Sequence, residues 1–144
     1  MKPGHGGHII LPQDVITWAA ALAARDFAEA TGSEYSDESV RDILIPYWMD
    51  AAGLLAKTGA PLRAGGRSCI YATCGVEKHV DNMDGLSVCL VLHANGFTFV
   101  QGRNRLRLQT GDWFVFDDRL LHEVKETEQS TTLLVLTHPI EDKQ

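Results

Sequence analysis

The sequence predicts an α+β protein in which a helical N-terminal third lies against one face of a β-sandwich or barrel. Two regimes of patterning carry this. Apolar residues recur at helical spacing through the first 60 positions, whereas positions 67–139 hold short alternating or continuous apolar runs rich in β-formers. A turn-rich connector, GAPLRAGG at 59–66, separates the two. At 144 residues the chain reads as a single domain, 1–144, large enough to bury a core without disulfide or metal staples.

Residues 1–11 are expected to form a flexible tail, because the glycines around His5 and His8 in GHGGH cost too much entropy to hold a stiff site. Residues 12–60 are expected to supply supporting helices. Pro12 suits a first helical turn, and Val15, Trp18, Ala19, Leu22 and Ala23 follow on one side, extended by Phe27 and Ala30. The stretch TGSEYSDES breaks that pattern. Ser36 then reads as the N-cap of a second helix, whose apolar side runs from Val40 and Ile43 through Tyr47 and Trp48 to Leu54 and Leu55. Pro46 should kink that helix or restart it.

The β region is legible as RSCIYATC, LSVCLVLHA, FTFVQ, RLRLQ, DWFVFD and TTLLVLTH. Clear breaks fall at ANG (94–96) and QTGD (109–112). Trp113 and Phe116 are expected in the core, and His138 is expected to end the last strand rather than to ligate a metal.

A net charge of −6 and a pI near 5.4 argue against a protein that holds nucleic acid by general phosphate attraction. No segment has the length of a membrane-spanning helix, and MKPGHGGHII lacks the charged-then-apolar build of a signal peptide. Cys69, Cys74 and Cys89 are odd in number and lack a CxxC spacing, so they read as reduced, mostly buried thiols. Together these point to a cytoplasmic setting away from membranes.

Residues 77–85 read EKHVDNMDG. His79 and Asp81 stand two apart, and positions i and i+2 of a strand share a face. A further histidine, His122, follows in DWFVFDDRLLHEV. Two imidazoles and one carboxylate can hold iron(II) or manganese(II) from one side, leaving open positions on the other. By spacing alone, an exposed His–Asp pair and an unrelated loop histidine fit equally.

In their order, HVDN and, about 40 residues later, GDWFVFDDRLLHEV resemble the iron(II)/2-oxoglutarate-dependent oxygenases, most closely the prolyl-hydroxylase-like branch. The likeness spans residues 67–139 and includes SCIYATC before the HxD pair. It implies a double-stranded β-helix core (a jelly roll) with the N-terminal helices bracing its larger sheet. It also implies Fe(II) held by His79, Asp81 and His122, 2-oxoglutarate as cosubstrate, and a small molecule or exposed side chain as substrate. Halogenases of this type carry a small residue in place of the carboxylate, so Asp81 points to hydroxylation.

The same branch places an arginine for the far carboxylate of 2-oxoglutarate roughly nine or ten residues after the second histidine. Thr131 and Thr132 stand there instead. Three replacements are open: His93 with Thr131 or Thr132 as hydroxyl donors, one of Arg103, Arg105 and Arg107, or Lys125. Strand parity favours His93. Tyr71 is either a contact of the cosubstrate or a core tyrosine, and Asn82 either steadies Asp81 or forms a turn. Arg119 is expected to pair with Asp117 or Asp118. Two rivals use the same residues: a non-enzymatic cupin-type binding protein, and a metalloenzyme that works without 2-oxoglutarate. Oligomeric state is left open.

Overall fold

The computed structural model describes residues 1–25, 40–81, 85–126 and 132–142. Among the described residues, ten strands form two antiparallel sheets. In chain order they are β1 (Gly6–His8), β2 (Val40–Ile43), β3 (Cys69–Thr73), β4 (Val76–His79), β5 (Leu86–His93), β6 (Phe97–Gln101), β7 (Asn104–Arg107), β8 (Asp112–Asp117), β9 (His122–Glu126) and β10 (Leu133–Pro139). The larger sheet runs β1-β8-β5-β10-β3-β2 and the smaller β4-β9-β6-β7.

β5 explains the layering. Its run LSVCLVLH is apolar on both sides because it is buried on both sides. Leu86, Val88, Leu90 and Leu92 enter a core beneath the helices. The alternate positions Cys89 and Val91 enter a second core between the sheets, with Phe97, Phe99, Phe114 and Leu133.

Helix α1 (Gln13–Ala23) lies on the outer face of the larger sheet. It buries Val15, Ala19 and Ala23, and the alanines let its backbone approach the sheet closely. Pro12 stands just before the first turn, where its carbonyl accepts from the Ile16 amide at 3.1 Å. Phe27 and Ala30 lie outside the described residues. No helix among those described is long and apolar enough to cross a membrane.

The expected second helix is not formed as a unit. Val40–Ile43 instead pairs with β3, with Val40 opposite Thr73 and Ile43 opposite Ile70. Leu44 and Tyr47, expected on a buried helical side, are 92% and 100% exposed. The open edge of β3 offers ladder hydrogen bonds to this β-branched segment, and Pro46 cannot continue a helix. Ser36 lies outside the described residues. The helix restarts only as α2 (Ala51–Ala56), where the Asp50 carboxylate accepts from the Gly53 amide at 3.0 Å. Asp50→Ala is expected to cost about 1 kcal/mol, read as a lower urea midpoint with an unchanged slope.

The N-terminal tail is also corrected. Gly6–His8 pairs with β8, Gly6 opposite Phe114 and His8 opposite Asp112. A Cβ on Gly6 would collide with the Trp113 carbonyl, and one on Gly7 would stand 2.9 Å from the Trp113 indole nitrogen. The glycines therefore permit close approach to a sheet edge rather than marking disorder. His8 Nδ1 lies 2.9 Å from Asp112, and the His5 ring sits 5.5 Å from that of Trp113.

Candidate metal centre

β4 and β9 are antiparallel neighbours with His79 directly opposite His122. Both side chains point between the sheets, with ring centroids 4.3 Å apart. Asp81 follows β4, and its amide donates to the Asp118 carbonyl at 2.9 Å. This turns its carboxylate back to the rings: Asp81 Oδ1 is 3.4 Å from His79 Nε2, and Oδ2 is 3.2 Å from His122 Nε2. His122 is buried at 6% side-chain exposure, while His79 and Asp81 are 32% and 42% exposed.

The hydrogen bonds assign the tautomers. His79 Nδ1 lies 2.8 Å from the Glu77 carbonyl and His122 Nδ1 lies 2.8 Å from the Leu120 carbonyl. A carbonyl only accepts, so each Nδ1 donates and Nε2 is the nitrogen turned toward Asp81. In the neutral tautomer two Nε2 lone pairs face a carboxylate, an arrangement that a cation between them stabilises. The ligand atoms lie within 4.8 Å of one another. Adjacent ligands on a first-row ion at ~2.1 Å are about 3 Å apart, so one ion fits this set. The two-nitrogen, one-oxygen donor set suits iron(II) or manganese(II). Cys89 borders the cavity behind, but burial pushes its thiol far up and keeps it protonated.

The loop leading to His122 is held by residues that spacing alone did not single out. Gln101, 4% exposed, donates to the Asp117 carbonyl at 2.7 Å and accepts from the Asp117 amide at 3.1 Å. It also lies 3.4 Å from the Leu120 carbonyl that orients His122. Phe97, Phe99 and Gln101 alternate inward along β6, so parity in FTFVQ was the available signal. Asp118 Oδ1 accepts from the Gly85 amide at 2.8 Å, and its own amide donates to the Gly85 carbonyl at 2.9 Å. Gly85 has φ +80°, which glycine adopts without strain.

Arg119 pairs as expected, with Nε and Nη2 each 2.8 Å from the two oxygens of Asp117. That guanidinium holds the Asp117 carboxyl below its usual range. A depressed folded value means the stabilisation is present above the unfolded pKa and is lost as pH falls through the folded one. Asp117→Asn is therefore expected to lower the urea midpoint at pH 7 and to flatten its decline below about pH 4.

A cavity of about 240 Å³ opens behind the triad. Tyr71 lines it, together with Thr73, Ser87 and Thr137. The remaining wall is mainly apolar, including Phe99, Phe114, Leu133 and Val135. Phe116, expected in the core, forms part of this wall, whereas Trp113 belongs to the core under α1. His138 ends β10 as expected, with Nδ1 2.8 Å from Ser68 Oγ and Nε2 3.1 Å from the Arg63 carbonyl.

The residues considered for a far carboxylate do not gather here. His93 is half-buried at the end of β5, does not line the cavity, and burial lowers its pKa so that it is neutral. Arg103, Arg105 and Arg107 are exposed around β7. Lys125 is exposed beside Glu123, 3.7 Å away, and borders an outer groove. Thr132 is buried away from the cavity, and Thr131 and Asn82 lie outside the described residues. The metal fits this site, and among the described residues no lysine or arginine lines the cavity to meet a far carboxylate.

No protein-family model matches the chain, and no curated protein matches it. Among solved structures, a prolyl-4-hydroxylase from Pseudomonas putida is 17% identical over 96% of this chain and 94% of that one, with a TM-score of 0.56. AviO1 from Streptomyces viridochromogenes Tue57 is 14% identical over 96% and 90%, with a TM-score of 0.55. A cupin-2 domain containing protein from Shewanella frigidimarina is 14% identical over 83% and 97%, with a TM-score of 0.43. With its two antiparallel sheets and braced larger face, the chain has the double-stranded β-helix, or jelly-roll, fold.

Proposed function

We propose that this protein is an iron(II)-dependent oxygenase acting on a small molecule or an exposed side chain. The observation that carries the reading is the convergence of two histidine Nε2 atoms and the Asp81 carboxylate at the mouth of a mainly apolar cavity. The likeness to solved structures is one of fold, so the chemistry rests on this triad. Bound there, iron(II) supplies an oxygen-activating centre with three coordination positions open.

The chain's own residues do the rest. The Glu77 and Leu120 carbonyls accept from each Nδ1–H and so hold each ring with Nε2 aimed at the site. Phe99 and Phe116, with ring centroids 6.0 and 5.4 Å from that of His122, exclude water from its buried side. His79 and Asp81 also border an outer groove lined by Glu77, Lys78, Glu123 and Lys125, through which a substrate can approach. The chelating end of 2-oxoglutarate, the cosubstrate implied by the sequence resemblance, suits the open side of such a triad. Among the described residues no lysine or arginine lines the cavity to meet its far carboxylate.

Anaerobic calorimetry with iron(II), followed by oxygen-uptake measurements with candidate substrates, tests the proposal. One iron per chain, lost in His79→Ala, and substrate-dependent oxygen consumption are expected. Iron binding with no uptake under any substrate would favour the second reading, a non-enzymatic cupin-type metal or ligand-binding protein.

A further inference from the structure

We propose, building on the iron(II) reading above, that the inner cavity takes a small chelating monoanion with an uncharged tail, a 2-oxo monocarboxylic acid with an aliphatic side chain, in preference to the dicarboxylate 2-oxoglutarate.

Three observations converge on this ligand class. The first is the absence of a cation. Of the 13 lysines and arginines in the chain, all but Lys143 fall within the described residues, and none of those lines the cavity. The only histidines on its wall are His79 and His122, both committed to the triad. On the inner face of β10, Leu133, Val135 and Thr137 are the positions that line the cavity, and none can neutralise a carboxylate.

The second is the charge count. Iron(II) brings two positive charges and Asp81 removes one. A monoanionic chelator removes the other. Asp118 also borders the cavity as a further carboxylate. A dianion would therefore add a negative charge beside two carboxylates, with no lysine or arginine among the described residues on the cavity wall to meet it.

The third is the match of size and polarity. About 240 Å³ lies below the ~300–1,000 Å³ of drug-sized ligand sites. The space therefore suits a chelating head with a short tail, leaving a larger substrate in the outer groove. Adjacent keto and carboxylate oxygens can occupy two neighbouring open positions on the metal. The tail then lies among Leu133, Val135, Phe99 and Phe114, where aliphatic carbon gains from burial and an ion does not. The Ser87 hydroxyl on the cavity wall can serve the chelating carboxylate, which needs a donor but no second cation.

The test loads the apo protein with iron(II) in the absence of oxygen, after the metal affinity has been measured by itself. 4-Methyl-2-oxopentanoate and 2-oxoglutarate are then titrated separately, following the charge-transfer absorption of the chelate. The aliphatic acid is expected to bind at least ~10-fold tighter, equivalent to about 1.4 kcal/mol. Val135→Arg, which installs a cation on the inner face of β10, is expected to reverse the order while iron binding persists. If that variant does not fold, Thr137→Lys replaces it, and the wild-type comparison decides by itself in either case. Equal or tighter binding of 2-oxoglutarate by the wild type would overturn the proposal, as would iron binding with no chelation of either acid. Failure of iron to bind at all would show in the first titration and would sink the iron(II) reading instead.

Discussion

His122→Ala is expected to abolish stoichiometric binding of first-row divalent metals. His122 is the buried member of the triad, and its Nε2 faces Asp81 Oδ2 at 3.2 Å. Loss of an outer-shell partner already costs ~10–100-fold in metal affinity, and loss of a direct ligand should exceed that. A stability readout makes the test independent of activity. Metal at 100 times its Kd adds about 2.7 kcal/mol to the wild type, roughly 5–10 °C in Tm for a chain of this size. It should add nothing to His122→Ala. His79→Ala should behave alike, because the two histidines are opposite one another across β4 and β9. Undiminished metal stabilisation in both variants would place the centre elsewhere.

Gln101→Ala is expected to lower stability by roughly 2–4 kcal/mol, since the Asp117 amide and carbonyl are left buried without their partner. Metal affinity should fall with it. The Leu120 carbonyl that fixes the His122 tautomer belongs to the same loop and lies within reach of the Gln101 amide nitrogen. Gln101→Glu keeps an acceptor for the Asp117 amide but removes the donors, so an intermediate loss is expected. Urea unfolding of the apo protein and a parallel metal titration separate the two effects. A drop in stability with unchanged metal affinity would show that this loop braces the fold without positioning the ligand.

Much of the site is readable from the chain. HVD places two donors on one side of a strand end, and the order of the later strands brings His122 opposite His79. The neighbouring Asp117 and Arg119 could be paired by proximity. The support beneath the ligands was harder to see. Gln101 is one residue in an ordinary alternating run, and its importance comes from facing Asp117, 16 positions away. The missing cation shows the limit of spacing. His93 has the inward parity of Cys89 and Val91, but it lies at the strand end beyond the cavity, and burial keeps it neutral.

What the sequence by itself determined is therefore local in origin. The sequence settled α1, the strand-rich core and the breaks between strands, because period and turn chemistry are written in neighbouring residues, whereas the triad was suggested only by the ordered resemblance of HVDN and GDWFVFDDRLLHEV. The tertiary structure decided which sheet edges needed partners. It made a strand of Gly6–His8 against β8 and a strand of Val40–Ile43 against β3, where glycine content had indicated a tail and apolar spacing a helix. Ladder hydrogen bonds and close backbone approach depend on what lies across the gap, and a short segment's own propensity is too weak to oppose them.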